Sequence, residues 1–236
     1  MRQTEHPMGS QPATEPLVPL SRERVLTTAV AFADRHGLES LSMRKLADEL
    51  GAGAMSLYYH VRNKEQLLDG MVDIVFGEIE LPPTDVDWKT AMRRRALSTR
   101  EVLNRHRWAV GQMEGRTEHG PANLRLHDAV LGCLRAAGFS LEMTVHAYSV
   151  QDAYIYGFAL QESDMSSETA DDFAAEAQRQ MREYEVLLAE FPYLVEVVGG
   201  YVAKSGYDYA TEFLFGLDLI LDGLDQLRDE PRPSVE

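Results

Sequence analysis

The chain has 236 residues, 44% hydrophobic and 26% charged, with 17 Gly and 10 Pro, which excludes a collagen-like, low-complexity or wholly disordered protein. One cysteine, Cys133, excludes an internal disulfide and a CxxC metal or redox site, and it fits a reducing cytoplasm. A net charge of -15 at first argues against nucleic acid, since phosphates select for Lys and Arg.

The distribution of charge changes that reading. Leu20 to Val75 holds seven basic and eight acidic residues, whereas Phe76 to Glu236 holds 15 basic and 28 acidic. Within Arg44 to Lys64 the balance turns to +2, a small basic patch in an acidic protein. Met1 to Leu20 lacks the apolar run of a signal peptide, and nowhere do ~18 apolar residues run without a charge. Neither export nor a membrane span is expected, and a cytoplasmic location is.

Residues 1–19 carry Pro7, Pro12, Pro16 and Pro19 among polar residues and read as a flexible arm. From Leu20 the pattern is helical: Ser21 can cap, Val25, Leu26, Ala29, Phe32 and Ala33 share a face, and Gly37 stops the helix. Ser42 caps a second, short helix with Met43, Leu46, Ala47 and Leu50, which Gly51 ends. After the turn at Ala52 and Gly53, a third helix is expected over roughly Ala54 to Val61, with Leu57 and Val61 inward. Asn63, with Gln66 three residues on, caps a fourth helix whose stripe is Leu67, Leu68, Met71, Val72, Val75 and Ile79. Pro82 and Pro83 stop it and mark a domain boundary.

Helical signals continue to the end: Trp88 to His106, Leu124 to Ala136 before Gly138, and Leu141 to Leu160 after the Ser140 cap. A loop is expected over Asp164 to Thr169, then a helix from Asp171 to Glu190. An irregular stretch is expected around Gly199, Gly200 and Gly206, and a last helix runs from about Tyr207 to Arg228. Strand-like alternation is scarce, so the chain reads as all-α.

Two short helices joined by a Gly-containing turn match a helix-turn-helix, whose second helix enters the major groove. Ser56, Tyr58, Tyr59 and His60 offer hydroxyls and an imidazole to phosphates or base edges, while Arg44 and Lys64 would flank the groove as phosphate clamps. The competing reading is a pair of amphipathic helices with solvated aromatics inside a larger bundle.

Ser42-Met43-Arg44-Lys45-Leu46-Ala47-Asp48-Glu49-Leu50-Gly51, followed by Ser56-Leu57-Tyr58-Tyr59-His60-Val61-Arg62-Asn63-Lys64, resembles the DNA-binding domain of the TetR family of bacterial transcriptional repressors. The resemblance implies DNA-contact roles for Ser42, Arg44, Ser56, Tyr58, Tyr59, His60 and Lys64. It departs where the tetracycline repressor has Gln-Pro and this chain has Ala54-Met55, so the bases read should differ. Ala137-Gly138-Phe139-Ser140-Leu141-Glu142 and Glu212-Phe213-Leu214-Phe215-Gly216-Leu217 are similar to the C-terminal domain of the tetracycline-repressor subgroup. That implies a helix-turn-helix domain over 20–80, an effector-binding and dimerising domain over 84–229 and a flexible tail over 230–236. It also implies a homodimer built by the helix near Leu141 and the last helix, double-stranded operator DNA as partner, and a small-molecule effector.

By the same resemblance, Gly111, Ala153 and Gln161 stand where magnesium-holding side chains would be expected, so magnesium-tetracycline is not the expected effector. Trp108, Met113, Tyr148, Tyr154, Tyr156 and Phe158 read by default as core or dimer contacts, any of which could line a cavity; Trp108, Met113, Tyr154 and Phe158, with Gln112, Gln151 and Gln161 as polar anchors, are taken as the candidate lining of an effector pocket. The seven histidines form no HExxH, and no GxSxG, P-loop or GxGxxG is present. Asp218 and Asp222, one turn apart, read as a solvated face rather than an acid/base pair. No catalytic residue, metal or cofactor is assigned. The expectation is an all-α repressor released from DNA by its effector; the alternatives are an activator, an effector-independent regulator, a helical enzyme, or an adaptor binding protein through Tyr58 and Tyr59.

Overall fold

The computed structural model describes residues 19–113, 119–163 and 169–228, and these are helical with no strand among them. The expected arm up to residue 18, the tail over 230–236 and positions 164–168 of the expected loop lie outside the described residues.

Four helices make an N-terminal head: α1 (Arg22–His36), α2 (Met43–Leu50), α3 (Ala54–Leu57) and α4 (Lys64–Glu78). The caps act as their sequence suggests. Ser21 Oγ accepts from the Arg24 amide at 3.1 Å, Ser42 Oγ from Lys45 at 3.3 Å and Asn63 Oδ1 from Gln66 at 2.8 Å, each satisfying a helix-end donor that has no intrahelical partner. Gly51 closes α2 in the left-handed region, at φ 62°. The apolar faces converge on a core that includes Leu26, Phe32, Leu46, Leu57, Leu67 and Met71.

Helix α3 ends at Leu57, four residues before the expected end at Val61. The amides of His60 and Val61 both bond the Leu57 carbonyl, at 2.9 and 3.0 Å, which tightens the chain into a turn. Next, the Arg62 amide donates to Gln66 Oε1 at 2.8 Å while Asn63 adopts extended backbone to cap α4. The helix cannot continue through residues already committed to starting the next one.

The body consists of α5 (Trp88–Arg105), a 3-10 turn (Arg107–Gln112), α6 (Pro121–Ala136), α7 (Leu141–Ser163), four shorter helices and the last helix, α12 (Tyr209–Leu227). Its core gathers Trp88, Met92, Leu126, Phe139, Ile155 and Phe213. Helix α4 serves both cores, giving Leu67 and Met71 to the head and Val72, Val75 and Phe76 to the body. A polar latch joins the two units further: Asp34 Oδ1 accepts from Trp108 Nε1 at 2.7 Å and lies 2.8 Å from His106 Nδ1, while His106 Nε2 lies 3.1 Å from Glu78 Oε2.

The short helices are α8 (Ala170–Glu183), α9 (Glu185–Leu188), α10 (Pro192–Val197) and α11 (Ala203–Ser205). Two expectations are corrected here. The helix expected over 171–190 breaks at Tyr184, whose φ of -106° and ψ of 20° turn Leu187 and Leu188 back toward Met181 and Leu194 around a common groove. Gly199 and Gly200, expected to be irregular, lie in a π-helical turn (Val198–Val202) that continues α10. The stop is Gly206 alone, at φ 70°, where a Cβ would fall 1.8 Å from the Ala170 carbonyl oxygen; only glycine fits that approach.

Candidate nucleic-acid interface and ligand cavity

Leu57 and Val61 are fully buried, and they anchor a surface on which Tyr59 is 90% exposed, Met55 76% and Tyr58 44%. Ser56 and His60 are half-buried at its edge. Ser42, Arg44 and Lys64 are exposed, and Arg44 and Lys64 have no hydrogen-bond or ion-pair partner among the described residues. The Ser42 oxygen is used as an acceptor by its cap, which leaves the hydroxyl proton available to a phosphate. The structure therefore leaves the expected DNA-contact side chains exposed or half-buried, Ser42 and Arg44 at the head of α2, Ser56, Tyr58, Tyr59 and His60 in α3 and the turn after it, and Lys64 at the start of α4. Met55, Lys45 and Arg62, within the same stretch of sequence, are exposed as well. Lys45 and Arg62 were visible in sequence only as part of the basic patch, and Met55 only as a departure from the family pattern. Behind the surface, Arg35 binds Glu49 at 2.5 Å, tying α1 to α2; that hydrogen bond and the guanidinium charge hold the exposed Glu49 carboxyl below its ordinary range.

The seven expected pocket residues do not converge. Met113 alone lines a cavity of about 410 Å³ in the body, whose other walls include Phe76 of α4, Asn123 and His127 of α6, and Tyr148, Asp152 and Tyr156 of α7. Trp108 and Gln112 line a separate cleft of about 620 Å³ between head and body, beside Asp34 and Arg105. Gln151 is buried and donates to the Ala147 carbonyl at 2.9 Å. Tyr154 and Phe158 belong to an aromatic cluster with Phe213, at ring separations of 5.5 and 5.2 Å, and the Tyr154 hydroxyl donates to the Phe213 carbonyl at 3.0 Å. Gln161 is exposed. The signal that could have found the cavity was the stripe Tyr148, Asp152 and Tyr156, one helical turn apart on an otherwise apolar face.

Cavity polarity centres on α7. Asp152, 6% exposed, pairs with Arg95 of α5, 2% exposed, at 2.6 Å. Arg95 Nε and Nη1 find no hydrogen-bond partner. His127 Nδ1 lies 2.9 Å from the Asn123 carbonyl oxygen, and its Nε2 meets the Tyr148 hydroxyl. Burial first, then the charge of Asp152 and its hydrogen bond, push the Tyr148 phenol far above its ordinary range, so it keeps its proton. Among the described residues no group of three or more His, Cys, Asp or Glu side chains is placed to hold a metal ion, and no helix is long and apolar enough to cross a membrane.

Residues 25–71 match the family model described as bacterial regulatory proteins, tetR family, and residues 81–228 match the tetracyclin repressor-like C-terminal domain. The HTH-type transcriptional repressor DrrR1 of Streptomyces coeruleorubidus is 34% identical over 226 residues, covering 93% of this chain and 82% of the relative. The class C tetracycline repressor protein of Escherichia coli is 28% identical over 215 residues, covering 89% and 92%. Among solved structures, the TetR family protein ActR of Streptomyces coelicolor, in complex with actinorhodin, superposes with a TM-score of 0.75 at 30% identity. That superposition covers 90% of this chain and all of ActR.

Proposed function

Since the chain belongs to the TetR family of bacterial regulatory proteins, we propose that it is a homodimeric transcriptional repressor that leaves operator DNA when a small molecule occupies the body cavity. Residues 20–80 form the DNA-binding head and 84–229 the effector-binding and dimerising body. Ser42, Arg44, Ser56, Tyr58, Tyr59, His60 and Lys64 meet the DNA, which places the protein's work in the cytoplasm beside the chromosome. The names of its relatives are those of regulators rather than enzymes, and repression requires no catalytic group.

The observation that carries this reading is α4. It begins at Lys64 on the DNA-facing side, runs through both cores, and puts Phe76 on the cavity wall. A ligand that prefers one setting of Phe76 therefore prefers one placement of the head, and DNA and ligand lower each other's affinity by the same factor. ActR, solved with a small molecule bound, supports an effector. Dimerisation is supported by apolar side chains left exposed on α7 and α12, among them Leu141, Val145, Leu160, Phe215 and Leu219.

Selection from random duplex DNA tests the proposal. The enriched sequences are expected to be palindromic, with half-sites about one helical turn or a multiple apart, because a single short recognition element reads too few bases alone. An unpaired half-site, or no enrichment, would refute it.

A further inference from the structure

One histidine stands where head, α4 and body meet. His106 is the C-cap of α5 and is 6% exposed. Its Nδ1 lies 2.8 Å from Asp34 Oδ1 of α1, and its Nε2 lies 3.1 Å from Glu78 Oε2 of α4. Each of those oxygens also receives a donor that cannot accept: the Trp108 indole N–H reaches Asp34 Oδ1 at 2.7 Å, and the Arg105 guanidinium reaches Glu78 Oε2 at 2.8 Å. Both carboxylates therefore act as acceptors, and both ring nitrogens must donate. A neutral imidazole has one N–H and would turn the lone pair of its other nitrogen against a carboxylate oxygen. His106 in this setting is the imidazolium, with a proton on each nitrogen.

The surrounding charges agree. They are Asp34 from α1, Glu78 from α4 and Arg105 from α5, with Glu39 and Arg107 on the walls of the adjoining cleft between head and body. From α7 that cleft receives Ser163, and the neighbouring Glu162 is already paired with Arg100. Two carboxylates thus meet one guanidinium at the ring, and the second ring proton supplies the missing positive charge. The free carbonyl end of α5 favours a cation at its C-cap as well.

We propose, on the repressor reading given above, that His106 is the positioning residue of the DNA-binding head: the doubly protonated ring ties Asp34 of α1 and Glu78 of α4 to the end of α5, and loss of one proton opens one tie. A head held by a single tie explores settings that do not fit the second half-site, and ordering it again on DNA costs affinity. Operator affinity then falls as rising pH removes that proton.

Two measurements on the full chain test this, each from about pH 6 to about pH 9, a span chosen to cover the exchange of a histidine's second proton. The first is nitrogen NMR of the histidine-labelled chain, with His106 assigned by its absence in His106→Gln. The second is affinity for a duplex enriched from random DNA. At the lower end both His106 nitrogens are expected to carry protons, and one is lost as pH rises. Operator affinity is expected to fall about ten-fold or more over the same span, the weight of one charge-assisted hydrogen bond. His60, in the proposed DNA surface, can add a pH dependence of its own, so the fall is read as the excess over His106→Gln, which keeps His60 and should bind weakly throughout. Glu78→Gln separates positioning from packing. Its amide can donate to Nε2 of a neutral ring while its carbonyl still accepts from Arg105, so the tie no longer needs the second proton. Its affinity should stay within about two-fold of the wild-type value at the lower end across the whole span.

A His106 ring with one protonated nitrogen throughout overturns the charge assignment and the proposal with it. So does a wild-type affinity that rises with pH or merely follows that of His106→Gln. A Glu78→Gln chain that loses affinity as the wild type does also overturns it, because a packing role alone predicts no such rescue. Should His106→Gln fail to fold, the contrast between wild type and Glu78→Gln, which share His60, carries the same decision. Failure of every chain to bind any enriched duplex overturns the repressor reading and the positioning role with it, while the imidazole spectra still decide the charge of the ring.

Discussion

Tyr58, Tyr59 and Lys64 illustrate how little of the proposed DNA-contact surface is tied to stability. Their side chains project from a turn whose hold on the core is through Leu57 and Val61. Tyr58→Ala and Lys64→Ala are therefore expected to weaken operator binding with no more than about 0.5 kcal/mol lost in unfolding experiments. Lys64→Ala should also flatten the slope of log affinity against log salt by about one unit, since one phosphate contact and its released counterion are lost. An unchanged isotherm across a salt series would remove Lys64 from the interface. The opposite case is Arg95 with Asp152, an ion pair deep in the body. Arg95→Met leaves a buried carboxylate unpaired and should cost about 3–5 kcal/mol, whereas Arg95→Met with Asp152→Leu removes both charges and should regain most of that loss. Urea unfolding of the two variants checks the sign, which would be reversed if solvent reached the pair.

Helix α4 is coupled to α6 by a cap supplied from outside α6. Asp73 Oδ1 accepts from the amides of Ala122 and Asn123, each at 3.0 Å, so the side chain of one helix satisfies the free N-terminal donors of the next. Gly120 makes room for this: a Cβ there would lie 2.1 Å from Asp73 Cγ. Asn123 and His127, which α6 gives to the cavity, are thus tied through this cap to the helix that packs in both cores. Asp73→Ala should cost about 1 kcal/mol and speed amide exchange over the first turn of α6, while leaving exchange in α2 unchanged. Protection of 121–124 that matches the wild type would show that the cap is dispensable and that the α4 to α6 link lies elsewhere.

Over the whole molecule the net charge of -15 sits mainly outside the head, so the body would repel DNA while the basic patch at Arg44, Lys45, Arg62 and Lys64, on the proposed reading, would attract it. That polarity favours one orientation of approach. The relatives include tetracycline repressors, yet Gly111, Ala153 and Gln161 carry no carboxylate or imidazole, and Ala153 lies on the cavity rim. Magnesium, a hard ion that needs oxygen-rich or anionic company, finds no carboxylate at those three positions. Magnesium-tetracycline at micromolar concentration is accordingly expected to leave the operator complex intact in a gel shift, and release that is lost on chelation would contradict this.

The helices, their starts and the head were legible because the interactions that set them are local. Ser21, Ser42 and Asn63 each bond an amide three residues on, and Gly51 takes a backbone conformation that few other residues accept, so a window of a dozen residues holds the needed information. The same locality explains why the surface around Tyr58 and Tyr59 could be located from spacing and family resemblance together. Where α3 ends was not legible, because the competing demand comes from the cap of α4. The body cavity was not legible either: of the expected pocket residues Met113 lines it, but Trp108 and Gln112 face another cleft and Tyr154 and Phe158 fill an aromatic cluster. Which aromatic side chain packs in a core and which borders a void depends on how α4, α6 and α7 meet, and that is set by the summed packing of residues far apart in the chain. Periodicity tells a residue which face of its helix it occupies; only the tertiary structure decides what that face meets, and so brings the Asp152 carboxylate against Arg95 and the Tyr148 hydroxyl against His127.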